Sequence, residues 1–285
     1  MVLVFTHDIT ARVHHTFDFV FREALGVDVE VTDDKERFEQ YEGPCINYSE
    51  ERFGNEFWIR PAELLFETDI YEFEVEVFFW EGEPVFFRTD ENSSFPFDPF
   101  AAIFYFISRY EEYLHYVGDL YDRFRAHESL AYKNGFLQEP LVDRWCLWIR
   151  DSVKALHPDH EFPERRYSYI STIDVDNAFA YAQKGMMRTL GGYARSLLSL
   201  NFKETKERSS VLLGLQKDPY DTYDHQLEIQ ERYGLNTIYF FLLADYGYND
   251  KNVPYNSERL RSLIKHLGDH ARVGVHPSFN SNRYP

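Results

Sequence analysis

Three side chains have types and placement that could do chemistry. Asp174 and Asp176 stand in the run Ile173-Asp-Val-Asp-Asn177, and His276 stands in Val273-Gly-Val-His-Pro277. Side chains two apart on an extended segment point the same way, so Asp-x-Asp presents two carboxylates to one face. Their negative charges compete unless a cation or a proton sits between them. An imidazole from a neighbouring strand would complete a site suited to Zn²⁺ or a similar divalent ion, with positions left open for water. Such an ion activates bound water at neutral pH, and a carboxylate that does not ligate can take the proton as water attacks a carbonyl. Each motif also has a plainer reading. Asp-x-Asp often forms a turn that caps the next helix, and a His before Pro is ordinary loop material.

The elements that must position these residues follow a parallel α/β pattern. Tyr167 to Ile173 reads as a strand that ends at the Asp-x-Asp, and residues 178 to about 200 read as helix interrupted at Gly185 and Gly191-Gly192. A charged stretch and Lys217-Asp-Pro-Tyr lead to a helix over about Asp224 to Tyr233, a turn at Gly234, and a buried strand from Thr237 to Leu243. Asn256-Ser257 caps a helix that reaches Leu267, and Arg272 to Val275 is a further short strand ending at His276. Strands separated by helices pair in parallel through right-handed crossovers, and parallel sheets place their sites at the carboxyl ends of strands. All three candidate residues stand at such ends.

The preceding residues predict a separate domain. Residues 2 to 5 read as a buried strand, Val13, Phe17 and Phe21 as one face of a helix ending at Gly26, and Val27 to Val31 as strand. No glycine-rich turn follows the first strand, so this βαβ-like start offers no dinucleotide site. From Tyr71 to Phe79 apolar residues alternate with glutamates, which predicts a strand with one wet face, paired as a hairpin across Glu81-Gly82-Glu83-Pro84. Asp98-Pro99 opens a helix expected to run to about Val117, and a second is expected from Pro140 to Leu156 across a long turn-rich loop. His157 to Arg166 reads as a linker, giving an N-terminal α/β domain over residues 1–160 and a second domain over 167–285.

Composition narrows the function. Thirty Lys and Arg against 48 Asp and Glu leave a formal charge of −18, a field that opposes nucleic-acid and anionic-lipid binding. Cys45 and Cys146 are the two cysteines, which excludes a thiolate zinc site and argues against a disulfide framework. Met1 to Phe5 is too short for a signal peptide's apolar core, and apolar runs break before membrane length, so the expected location is cytoplasmic with no membrane span. The 26 Phe and 21 Tyr favour sheet-rich packing.

The order of three motifs, Ser171-Thr-Ile-Asp-Val-Asp-Asn177, Tyr233-Gly-Leu-Asn-Thr-Ile-Tyr-Phe-Phe241 and Val273-Gly-Val-His-Pro-Ser-Phe279, resembles the opening half of a polysaccharide deacetylase domain of the carbohydrate esterase family 4 type. That resemblance implies a (β/α) barrel and a zinc-type metal, with Asp174 as general base and Asp176 and His276 as metal ligands. The family's first motif reads Thr-Phe-Asp-Asp-Gly, so Val175 is an insertion and Asn177 stands for the glycine. Its second motif is His-Ser/Thr-x-x-His, which puts Asn280 where a second histidine ligand is expected. The implied activity is metal-dependent removal of N-acetyl groups from a bacterial polysaccharide or glycan precursor. The departure at Asn280 keeps open a catalytically inactive glycan-binding or assembly protein on the same scaffold. The Asp-x-Asp also fits a phosphotransferase or a glycosyltransferase, but Asn177-Ala178 does not continue the Gly-Thr of the first and the second gives His276 no role.

Phe97-Asp-Pro-Phe-Ala-Ala102 followed by Ser108-Arg-Tyr-Glu-Glu-Tyr113, and Asn134-Gly-Phe136 followed by Pro140-Leu-Val-Asp143, resemble the uncharacterised domain that precedes divergent deacetylase domains in some bacterial proteins. The stretch from Tyr167 to Pro285 is under half of the roughly 250 residues a closed eight-stranded barrel takes, which predicts a fragment ending at Tyr284-Pro285. An open barrel exposes strand edges, which predicts dimerisation or a covering partner.

Overall fold

The computed structural model describes residues 1–282, and the chain divides into two compact units, Met1–Arg165 and Arg166–Pro285. Tyr284-Pro285 lies outside the described residues. Both units are mixed α/β with parallel sheets.

The first unit opens with β1 (Val2–Thr6), α1 (Ala11–Asp18), β2 (Val29–Thr32), α2 (Lys35–Glu39), β3 (Cys45–Tyr48) and β4 (Phe57–Ile59). The Thr10 hydroxyl accepts from Val13 N at 3.1 Å and starts α1. The helix widens into π turns over Phe19–Ala24, and Gly26 reverses the chain with a φ of 71°. The four strands form a parallel sheet in the order β2-β1-β3-β4. Strand alternation sends Val2 and Val4 into the core that holds Val13 and Phe17 of α1, while Leu3 and Phe5 pack with Phe38 of α2. Helices therefore cover both faces, and every residue of β1 is buried.

The hairpin is shorter than the alternation predicts. Strands β5 (Phe78–Trp80) and β6 (Glu83–Val85) pair antiparallel, with Glu81 and Gly82 both at positive φ, as a two-residue hairpin turn requires. Residues 71–77 keep the alternating burial, with Phe73, Val75 and Val77 against the core, but form no strand. Periodicity reports which side of a segment is wet, whereas a strand also needs a partner for its N–H and C=O groups.

Asp98 caps α3 (Pro99–Ile107), accepting from Phe100 N at 2.9 Å and Ala101 N at 3.0 Å. The helix stops well short of Val117 because Arg109 turns left-handed, with a φ of 55°, into a 3₁₀ turn over Tyr110–Tyr113. The following loop carries the single turn α4 (Leu130–Lys133), and α5 (Leu141–Leu156) closes the unit by burying Trp145, Cys146, Ile149 and Val153.

The second unit comprises β7 (Ile170–Val175), α6 (Met186–Leu198), α7 (Phe202–Leu212), α8 (Tyr223–Tyr233), β8 (Asn236–Leu242), α9 (Glu258–Gly268) and β9 (Arg272–His276). The strands form a parallel sheet in the order β7-β8-β9. Strand β7 lies about three residues later than its sequence pattern suggests, so Asp174 is inside it and Asp176 just beyond. Helix α6 runs unbroken through Gly191-Gly192, because glycine weakens a helix by only about 1 kcal/mol and flanking residues carry it. The charged stretch after it is helix α7, capped by Asn201. The Ser257 hydroxyl accepts from Leu260 N and caps α9.

Candidate functional site

The register of the sheet explains why the three candidate residues meet. Asp174 is paired with Phe240 and through it with Gly274, while Leu242, two residues on, is paired with His276. Side chains at paired positions of parallel strands share a face. His276 therefore stands on the face of Asp174, level with Asp176. A side chain on Gly274 would crowd the ring of Phe240, since a Cβ there would lie 2.7 Å from Phe240 Cδ1. The glycine leaves room for that ring in the row between Asp174 and β9.

The His276 Nε2 atom lies 4.0 Å from Asp174 Oδ2 and 3.9 Å from Asp176 Oδ1. Its Nδ1 is 2.9 Å from the carbonyl oxygen of Pro277. A carbonyl can only accept, so Nδ1 carries a proton and the neutral ring turns the lone pair of Nε2 toward the two carboxylates. Three acceptors then converge with no donor among them. Either a second proton on Nε2 or a cation between the groups resolves that repulsion.

The donors suit a divalent ion in type, one imidazole nitrogen and carboxylate oxygens. A tetrahedral ion with bonds of about 2.0–2.2 Å sets its donors roughly 3.4 Å apart, about half an ångström closer than here. Among the described residues, no group of three or more His, Cys, Asp and Glu side chains is arranged to hold a metal ion. The two carboxylates are exposed, with side chains 61% and 66% accessible. Asn280 is exposed in the 3₁₀ turn Phe279–Asn282 and is not among the residues lining the adjoining clefts.

Two clefts flank the cluster. One of about 470 Å³ is lined by Asp174, Asp176, Asn177, Tyr220 and Tyr223. The other, of about 510 Å³, is lined by Asp176, Asn177, Asp250, Lys251, His276 and Phe279. Long-range polar contacts hold their walls. Buried Asp218 accepts from the backbone N–H groups of Ala180, Tyr181 and Ala182 at 2.7, 2.9 and 3.0 Å, pinning the loop after Asp176. Burial pushes its carboxyl up, but these bonds and one from Tyr220 outweigh that and hold it below the usual range. Tyr223 donates to the carbonyl of Ala178, and buried Asp250 accepts from Phe279 N. Asn177 Oδ1 is buried with no hydrogen-bond partner among the described residues. Sequence reasoning missed Asp218 and Asp250 as organising groups. Asp218 bonds residues 36 to 38 positions away, a pairing that no local pattern announces.

Elsewhere, the two cysteines are free thiols, and burial pushes Cys45 up to about 11 and Cys146 up to about 12. Neither is a thiolate nucleophile near neutral pH. The first unit has its own cleft of about 310 Å³, lined by Phe5 and His7 after β1, Ser49 and Glu51 after β3, and Lys35 and Phe53. It lies at the carboxyl ends of β1 and β3, between strands whose onward connections pass on opposite faces. No helix among the described residues is long and apolar enough to cross a membrane.

Comparison with known proteins found one family, described as a family of unknown function (DUF7033), whose profile matches residues 2–158. No curated protein and no solved structure matched the chain. Asp174, Asp176 and His276 lie beyond the matched stretch. With more than half of its length inside that profile, the chain belongs to the DUF7033 family of unknown function.

Proposed function

We propose that the second unit is a divalent-metal-dependent hydrolase that removes N-acetyl groups from a bacterial polysaccharide or glycan precursor, on the first part of a deacetylase-type barrel. One observation carries this reading. Two carboxylates and the lone pair of an oriented imidazole converge within 4.0 Å at the carboxyl ends of parallel strands. The motif order shared with polysaccharide deacetylases supports it.

In this reading Asp176 and His276 hold the ion, and zinc is the metal their chemistry suits.

 A bound divalent ion would supply Lewis-acid activation of water and of the acetamide carbonyl. Asp174 takes the proton of the attacking water on Oδ2, the oxygen that faces His276. The Nδ1–H bond to Pro277 fixes the ring and keeps Nε2 as a ligand atom. The partners in this reading are the glycan and a second copy of the chain covering the open edges of β7 and β9.

The test is zinc titration of the 285-residue chain together with acetate release from N-acetylglucosamine oligomers. Close to one zinc per chain, lost in Asp176→Ala/His276→Ala, with acetate release lost in Asp174→Asn, supports the reading. An intact chain that binds no zinc and releases no acetate overturns it. The second reading, an inactive glycan-binding or assembly protein, is favoured by the exposure of Asn280 outside the clefts. Oligomer binding without acetate release, unchanged in Asp174→Asn, would select it.

A further inference from the structure

The chain carries a formal charge of −18, yet one cleft of the second unit is lined by five cations and two carboxylates. It has a volume of about 620 Å³, and its cations are Lys184, Arg188, Arg195, Arg208 and Lys251. Glu204 is taken by Arg208 at 2.7 Å, and Glu207 accepts from the Tyr181 hydroxyl at 3.1 Å. Among the described residues the other four cations have no carboxylate within ion-pair distance. Like charges gathered without counter-charge cost free energy, and an acidic chain has carboxylates in excess with which to neutralise them.

The cluster is also built, not merely crowded. Arg208 is 8% exposed, its guanidinium lies over the rings of Tyr181 and Tyr193, and its buried Nε has no hydrogen-bond partner among the described residues. Gly192 makes the space for it, since a Cβ there would lie 2.2 Å from Arg208 Nη1. Gly192, which does not interrupt α6, thus admits an arginine to the cleft wall. Arg188 is held over Tyr246 and donates to the carbonyl of Asn252. Burial, with Arg188 and Arg208 nearby, outweighs the opposing pull of Asp218 and lowers the Lys184 ammonium below its ordinary range.

We propose that this cleft is an anion-binding site that takes the carboxylate or phosphate group of a saccharide. Lys251 lines both this cleft and the one holding Asp176 and His276, and Tyr220 lines both this cleft and the one against Asp174. A sugar bearing an anionic group here reaches the Asp/His cluster with its neighbouring ring. Tyrosine rings and hydroxyls in the lining suit a pyranose face. The saccharide part rests on the function proposed above, and the anion site does not.

The experiment is calorimetric titration of the 285-residue chain with glucuronate, glucose 1-phosphate and neutral N-acetylglucosamine, each at low salt and at 0.5 M NaCl. Arg195 and Lys251 are both exposed, so Arg195→Gln/Lys251→Gln removes charge without opening the core, and an unchanged melting temperature verifies the fold. The expected result is at least about tenfold tighter binding of one anionic sugar than of the neutral one, weakened about tenfold in the double variant and by salt. The tighter of the two anionic sugars names the oxyanion. Equal affinity for neutral and anionic sugars, binding indifferent to the double variant, or no anion binding overturns the proposal. Acetate release from neutral oligomers, measured on the same preparation, separates the two ideas. Hydrolysis without anion preference sinks only this site, and anion binding without hydrolysis sinks only the hydrolase.

Discussion

At the scale of the residue, the hydrogen bond to Pro277 decides what His276 can do. Its Nδ1–H is committed to that carbonyl, so Nε2 alone is left to hold a metal. His276→Ala should therefore weaken zinc binding at least about tenfold with the fold intact. Zinc titration of the variant checks this, and unchanged affinity would place the metal elsewhere. Asp98 gives a second prediction. It is fully buried, accepts from Tyr48 Oη at 2.7 Å and from Ala62 N at 2.9 Å in addition to its helix bonds, and is pushed up to about 6 by burial. A carboxyl that holds its proton more tightly when folded contributes stability below its unfolded pKa and loses it as pH rises through 6. The stability gap between the parent chain and Asp98→Asn should narrow between pH 4 and pH 7, by up to about 3 kcal/mol. Urea unfolding at a series of pH values measures it, and a constant gap would refute the coupling.

At the scale of the element, glycines set two limits. Helix α8 ends on Gly234 in the left-handed region, with a φ of 60° and open space where a Cβ would go. Gly234→Ala should therefore cost about 1 kcal/mol through backbone strain alone, read by urea unfolding. Gly274 is the opposite case, an extended position where space is the limit. Gly274→Val should displace Phe240, cost about 1–3 kcal/mol by overpacking, and weaken zinc binding by shifting β9 against β7. Zinc affinity unchanged in a folded Gly274→Val chain would show that the row at Phe240 does not set the spacing of Asp174 and His276. Elements whose caps are written locally, such as α3 at Asp98-Pro99 and α9 at Ser257, begin where the sequence says. The far end of α3 is set by Arg109, whose left-handed turn has no glycine or proline to signal it.

At the scale of the whole molecule, the chain is two compact units that meet in sequence between Arg165 and Arg166. Both arginines are exposed, as are residues 167 to 170. Limited trypsin digestion should cut first at this junction and leave two resistant fragments, identified by mass spectrometry. First cuts inside α5, at Arg144, Arg150 or Lys154, would contradict the division. The family match covers the first unit and the candidate chemistry belongs to the second, so the two units need separate functional tests.

The sequence by itself determined the parallel α/β character, most helix starts, the bounds of β8 and β9 to within one residue, and the three residues worth testing. These rest on near-neighbour physics: strand alternation, helix periodicity and capping, each complete within a few residues. Only the tertiary structure decided that β7 and β9 flank β8 in a register that sets His276 level with Asp176. It alone decided that residues 71–77 lack a strand partner, that Asp218 pins the loop beside the site, and that Gly192 makes room for Arg208 in a basic cleft. Those outcomes depend on groups tens of residues apart whose pairing is fixed by packing and by the need to satisfy buried polar atoms, and no local pattern encodes them.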